Sequence, residues 1–132
     1  HCHTRRQRQM CIRDSYYKDI STALLKSAKN ELKNFAKINV ISVPGVFEIP
    51  VVISKNLKKY DGFVALGCVI KGQTPHFDFI SKSTTDAIMN ISVESKKPVG
   101  NGIITCLNKN QAIARGKKGR EAANAVKTIL SL

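Results

Sequence analysis

The sequence predicts an α/β protein in which a mainly parallel sheet lies between layers of helices. Three observations carry this expectation: apolar residues at helical spacing from Asp19 onward, a nearly unbroken apolar run at 62–70, and alternation of helix-like with strand-like segments through the rest of the chain. With 132 residues, 42% of them hydrophobic, the chain suits one domain with a real core and has little room for a second.

The first helix is read from Ile20, Leu24, Ala28, Leu32 and Phe35, which recur at intervals of three and four with charged residues between them. INVISV at 38–43 is β-branched and is stopped by Pro44, whose ring fixes the backbone angle and removes an amide donor. Helical spacing resumes over 48–58 with Ile49, Val52, Ile53 and Leu57, and Glu48 stands where a helix N-terminus favours negative charge. GFVALGCVI at 62–70 lacks the polar alternation of a half-exposed strand, so it is expected to be central and covered on both faces. A helix over 77–94, a strand VGNGIITC at 99–106 and one last helix through Ala112, Ala122, Val126 and Leu130 complete the order. Such alternation implies right-handed crossovers and ligands at the carboxyl ends of the strands.

The opening HCHTRRQRQMCIRDS shows no apolar periodicity and differs in composition from everything after it. Residues 1–15 therefore read as a non-native or disordered segment resembling translated adapter or vector sequence, with the domain proper at 16–132; a basic tail for RNA is the alternative. The formal net charge is +13, and it stays strongly positive without that segment. A basic chain raises nucleic acid as a partner. The lysines are, however, scattered over helical stretches such as Lys26, Lys29 and Lys33, as on a solvated face. No apolar run reaches the roughly 18 residues of a membrane span, and a signal-peptide core is missing, so a soluble, cytoplasmic protein is expected. Cys2, Cys11, Cys68 and Cys106 show no CxxC spacing, which suggests neither a zinc site nor a disulfide framework.

Three loops after strands carry unusual chemistry. In VPGVFEIP at 43–50, Pro44 and Gly45 force a turn that presents Phe47 and Glu48 near a strand end, either as a site or as a simple turn and cap. KGQTPHFDF at 71–79 combines Gly72, Thr74 and His76. Glycine permits close backbone approach, a hydroxyl can donate to phosphate, and the following helix start offers unpaired amides. His76 is the one histidine outside the opening segment, and imidazole suits a group that must give and take a proton; a surface histidine is the plainer reading. Arg115, Lys117 and Lys118 could complete an anion site or form a solvated charge run.

Taken together and in order, PGVFEIP, ALGCVIKGQTPHFDF, PVGNGIIT and Arg115 with KKGREAA resemble the motif set of the lumazine synthases over about residues 16–132. The resemblance implies a flavodoxin-like three-layer α/β/α sandwich around a four-stranded parallel sheet, with an active site between adjacent subunits of a homopentamer or multiples of it. The implied reaction joins 5-amino-6-(D-ribitylamino)uracil to 3,4-dihydroxy-2-butanone 4-phosphate, giving 6,7-dimethyl-8-ribityllumazine without a metal or other cofactor. Carried over, the pyrimidine side comprises Tyr16, Val46, Phe47, Glu48, Cys68, Val69, Ile70 and Asn101. The ketose-phosphate side comprises Gln73, Thr74, Arg115 and Lys118, and His76 transfers protons. Association with a riboflavin synthase is a further implied partnership. Tyr16 replaces the usual phenylalanine, Asn101 stands where many members place a phenylalanine, and the Arg115–Lys118 segment is short. The family's first strand is expected to be missing or replaced by the opening segment. Two other readings stand beside the enzyme: a basic RNA-binding α/β module, and a shell or scaffold member of the same family that has lost turnover.

Overall fold

The structure, a computed structural model, describes residues 7–74 and 76–132. Its elements are β1 (Gln7–Asp14), α1 (Lys18–Leu32), β2 (Ala36–Val43), a 3-10 turn (Val46–Glu48), α2 (Ile49–Lys55), β3 (Gly62–Ile70), α3 (Phe77–Ser95), β4 (Val99–Cys106), α4 (Lys109–Ala114) and α5 (Lys118–Leu130). The four strands form one sheet in the order β2-β1-β3-β4, every neighbouring pair parallel.

All nine residues of β3 are buried, as the apolar run predicts. Alternate side chains of this strand enter two separate cores. Val64, Leu66, Cys68 and Ile70 pack with Leu24, Ala28 and Leu32 of α1 and Ala123 and Val126 of α5. Phe63, Ala65 and Val69 pack with Ile49 and Ile53 of α2 and Ile88 of α3. Each fully buried Leu, Ile or Phe contributes about 1.5–3 kcal/mol relative to exposure, so both helix layers are anchored through this strand. The result is the expected three-layer sandwich. No helix among the described residues is long and apolar enough to cross a membrane.

Three expectations need correction. The first concerns the opening segment: residues 1–6 lie outside the described residues, but Gln7–Asp14 is neither missing from the sheet nor disordered. It forms β1, between β2 and β3, with Gln9 opposite Gly62 and Arg13 opposite Leu66 on the β3 side. Backbone ladders do not depend on side-chain polarity, and the two helix layers cover whatever faces them. Met10 and Ile12 enter one core and Cys11 the other, while Arg13 leaves the strand to donate to Ser42 Oγ and Thr22 Oγ1. The polarity that hid this strand has a visible consequence: Gln9 is fully buried, and neither Nε2 nor Oε1 has a hydrogen-bond partner among the described residues.

Second, the last helix is two helices broken at 115–117. Ser27 Oγ donates to the carbonyl of Gly116, and Gly119 then lets α5 run against α1, where a Cβ would lie 2.0 Å from the carbonyl oxygen of Leu24. Third, Phe35 lies beyond α1, which ends at Leu32, and packs against the core from the turn into β2.

Replacing the orphaned amide tests the account of β1. Gln9→Leu is expected to raise the unfolding free energy by about 1–3 kcal/mol, the desolvation cost of unpaired buried polar groups, in urea denaturation followed by circular dichroism. A loss of stability would show that Gln9 is satisfied in its core.

Candidate functional site

After β1 the chain moves outward to β2, then crosses back over β1 to β3 and on to β4. The strand order thus reverses between β1 and β3, and in an open parallel sheet a crevice opens at the carboxyl ends of such a pair. A cavity of about 230 Å³ lies there. Tyr16 enters it from the β1–α1 connection, Gly45, Val46 and Phe47 from the turn after β2, and Cys68 and Val69 from β3. Thr74 and His76 come from the β3–α3 loop, with Ile80 from the first turns of α3.

The rim is aromatic. Tyr16 and Phe47 are each more than half exposed, at 57% and 52%, which is unusual for rings beside a core and leaves their faces available to a flat ligand. Tyr16 stands edge-on to Tyr17 with centroids 4.9 Å apart, and Phe47 is tilted against Phe79 at 6.4 Å.

The polar side of the cavity is set by the loop after β3. Thr74 N donates to the carbonyl of Ile70, and Thr74 Oγ1 in turn accepts from Ile70 N at 3.0 Å and pairs with Tyr17 Oη at 2.9 Å. His76 begins α3 in the left-handed region, φ 56° and ψ 40°, and its carbonyl accepts the first helical bond from Ile80. A non-glycine residue there stores roughly 1–3 kcal/mol of backbone strain, which the surrounding bonds must hold.

Asp14 joins the two sides of the crevice. β3 runs past the end of β1, and the fully buried Asp14 carboxylate replaces the lost ladder, accepting from Cys68 N and from Tyr16 N, both at 2.9 Å. Space for it exists because position 67 is glycine: a Cβ there would lie 2.2 Å from Asp14 Oδ2. Burial pushes the Asp14 pKa up, although the amides of Cys68, Tyr16 and Tyr17 and the Arg13 charge oppose the rise. Burial likewise pushes the Cys68 thiol up to about 12, which keeps it a neutral lining group.

The residues singled out from the sequence divide into groups. Tyr16, Val46, Phe47, Cys68, Val69, Thr74 and His76 share the cavity. Ile70 is fully buried beneath it and Gln73 is exposed on the turn; neither lines it, and nor does Glu48, which sits on the 3-10 turn. The resemblance implies a site between adjacent subunits, and within the single chain Arg115 and Lys118 do not line this cavity. Arg115 and Lys118 line a second depression, of about 490 Å³, against Ile103, Ile104 and Thr105 of β4. The reason is topological: β4 is an edge strand, and the α4–α5 break that carries Arg115 packs on its outer end. Arg115 Nη1 donates to the Thr105 carbonyl at 3.0 Å, and Lys118 pairs with Glu121 at 3.4 Å. Asn101 sits exposed in mid-strand with Oδ1 accepting from Ile103 N, and it lines neither depression.

Sequence reasoning missed Asp14, Tyr17 and Ile80, and it read Gly45 as a turn former rather than as a lining residue. Ile80 could have been found four residues after His76, on the same helix face. Asp14 could not, because its partner Cys68 is 54 residues away. Among the described residues no group of three or more His, Cys, Asp or Glu side chains could hold a metal ion.

A parallel α/β sandwich with an aromatic-rimmed, histidine-bearing cavity at its switch point defines an open-sheet ligand-binding protein. Comparison with known proteins sharpens this. The family model described as 6,7-dimethyl-8-ribityllumazine synthase matches residues 7–132, so the match takes in β1. A 6,7-dimethyl-8-ribityllumazine synthase of Agrobacterium fabrum is 41% identical over 93% of this chain and 92% of its own length. One from Bartonella tribocorum is 40% identical over 93% of this chain and 87% of its own. Among solved structures, the C-terminal catalytic domain of Streptococcus pneumoniae peptidoglycan O-acetyltransferase A matches with a TM-score of 0.51 at 11% identity over 96% of both chains. A split-gene transketolase, an inactive beta4 tetramer, matches with a TM-score of 0.55 at 13% identity over 97% of this chain and 41% of that one. Those two likenesses concern the fold alone. The chain belongs to the 6,7-dimethyl-8-ribityllumazine synthase family.

The buried Asp14 makes a prediction about pH. Its folded pKa stands above the ordinary value of 3.8, so the fold binds that proton more tightly than the unfolded chain does. The contribution is fully present below 3.8 and is lost as pH rises through the folded pKa. The half-buried Glu31, held low by the Lys127 hydrogen bond, works in the opposite sense, so the comparison must be differential. Subtracting the urea-derived stability profile of Asp14→Asn from that of the wild type is expected to leave a difference that falls as pH rises from about 4. A flat difference would show that Asp14 does not titrate with folding.

Proposed function

We propose that this chain catalyses the condensation named by its family, joining 5-amino-6-(D-ribitylamino)uracil to 3,4-dihydroxy-2-butanone 4-phosphate to form 6,7-dimethyl-8-ribityllumazine. The observation that carries the reading is the cavity itself, which combines two exposed rings, Tyr16 and Phe47, with Thr74 and His76 at the sheet's switch point. A pyrimidine is flat and suits the aromatic rim, with Val46, Glu48, Cys68, Val69, Ile70 and Asn101 as its further contacts in the family's pattern. A phosphate ester needs donors and positive charge, which Gln73, Thr74, Arg115 and Lys118 offer.

In this reaction the pyrimidine's 5-amino group attacks the ketone and water is lost to form an imine. Loss of the C3 proton then expels phosphate from C4, the resulting enol tautomerises to a new carbonyl at C3, and attack of the ribitylamino nitrogen on that carbonyl closes the ring with loss of a second water. His76 serves as the group that accepts and returns protons, a role worth on the order of 10²-fold or more. Much of the remaining acceleration comes from holding the two substrates in contact, where effective molarities of order 10⁵ M are attainable.

Because Arg115 and Lys118 line a depression at the β4 edge and His76 lines the switch-point cavity, we assign the complete site to two protomers. An adjoining chain brings its cationic depression to the aromatic cavity of the first. A ring-shaped assembly, a homopentamer or multiples of it, repeats that contact, and association with a riboflavin synthase in the cytoplasm would pass the product onward.

Supplying both substrates to the purified chain and following the product's absorbance tests the reading. His76→Ala is expected to lose about 10²-fold in turnover. Mixed His76→Ala and Arg115→Ala chains, unfolded and co-refolded, are expected to regain activity that neither has alone. No product from the wild type would end the proposal, and failure to complement would return the whole site to one chain.

A further inference from the structure

We infer that Tyr17 is a positioning residue: its hydroxyl donates to Thr74 Oγ1 and so turns the Thr74 hydroxyl hydrogen outward, as a donor to the phosphate ester of the ketose substrate. The inference rests on the reading of the cavity given above. Tyr17 is half-buried at the start of α1 and does not line the cavity. It therefore acts through its partner.

The argument follows from counting hydrogen-bonding capacity. A threonine hydroxyl offers one hydrogen and two lone pairs. Ile70 N occupies one lone pair at 3.0 Å, and Tyr17 Oη stands 2.9 Å from the same oxygen. With Tyr17 as donor both lone pairs are filled, and the hydrogen of Thr74 is left for whatever enters the cavity that Thr74 lines. An anion accepts that hydrogen and could not be served by a lone pair. Burial raises the Tyr17 pKa, which favours the protonated phenol as donor.

The same side chain ties together parts that no local sequence signal connects. Its ring meets the edge of Tyr16, the exposed ring of the rim, at 4.9 Å and 87°. Its hydroxyl reaches 57 residues along the chain to the loop that carries His76 two positions after Thr74. The ring thus supports the pyrimidine side and the hydroxyl supports the phosphate side, and the two roles separate by substitution.

Tyr17→Phe keeps the ring and removes the hydroxyl. Losing one such hydrogen bond is worth about a factor of ten, so the KM for the ketose phosphate is expected to rise about tenfold while the KM for the pyrimidine stays nearly unchanged. Tyr17→Leu removes the ring as well and is expected to raise both. In a Thr74→Val background, Tyr17→Phe is expected to add nothing further, as for two residues acting as one unit. Binding of 3,4-dihydroxy-2-butanone 4-phosphate, titrated by phosphorus NMR without the pyrimidine, provides an arm that needs no turnover: its Kd is expected to rise about tenfold in Tyr17→Phe. An unchanged Kd in Tyr17→Phe would overturn the inference. A raised Kd with no lumazine formed by the wild type would sustain it and overturn the proposed reaction instead.

Discussion

Burial of β3 on both faces is the constraint from which the rest of the molecule follows. A strand whose nine residues all lie out of water must have a strand on each side and a helix layer above and below. β1 and β4 supply the first, and α1 with α5 and α2 with α3 supply the second. Because the crossover from β2 returns over β1 to reach β3, the central pair is also where the strand order reverses. The most buried strand and the place where a ligand can enter are therefore the same strand, seen in its middle and at its carboxyl end.

That coincidence explains the character of the cavity. Its floor is the end of an apolar strand, so Cys68 and Val69 face it with neutral, weakly polar groups, and the aromatic rim comes from the connections that leave β1 and β2. Positive charge enters at the edge strand, where the break between α4 and α5 holds Arg115 against the Thr105 carbonyl. One chain thus carries an aromatic half and a cationic half that its own sheet keeps apart. A substrate pair consisting of a flat heterocycle and a phosphate ester calls for both halves, which links catalysis to self-association in the proposed enzyme.

The polar contacts around the cavity combine local loop bonds with two that join distant parts of the chain. Asp14 binds Cys68 N across the crevice, Thr74 folds back on Ile70, and Tyr17 reaches Thr74 from another layer. Buried polar groups are strongly destabilising when unpaired, so these bonds hold the loop geometry more firmly than their net contribution of about 1 kcal/mol each suggests. His76 starts the next helix in a left-handed conformation that costs a non-glycine residue roughly 1–3 kcal/mol. Gln9 is the counter-example in the same sheet, a buried amide without a hydrogen-bond partner among the described residues.

The helices, apart from the break between α4 and α5, and three of the four strands were legible in the sequence because burial imposes a period on side chains. Leu24, Ala28 and Leu32 mark one helix face, and the run from Gly62 to Ile70 marks a strand covered on both sides. The cavity's Phe47, Thr74 and His76 were legible too, since turn chemistry places them just after strands. β1 was not, because a strand held by its neighbours' ladders can carry Gln9 and Arg13, and no periodicity within eight residues reveals such neighbours. The roles of Asp14 and Tyr17 and the separation of Arg115 from His76 were likewise decided by tertiary structure alone. Each depends on which strand ends lie side by side, and that order is a property of the crossovers, which leave no mark on the residues they bring together.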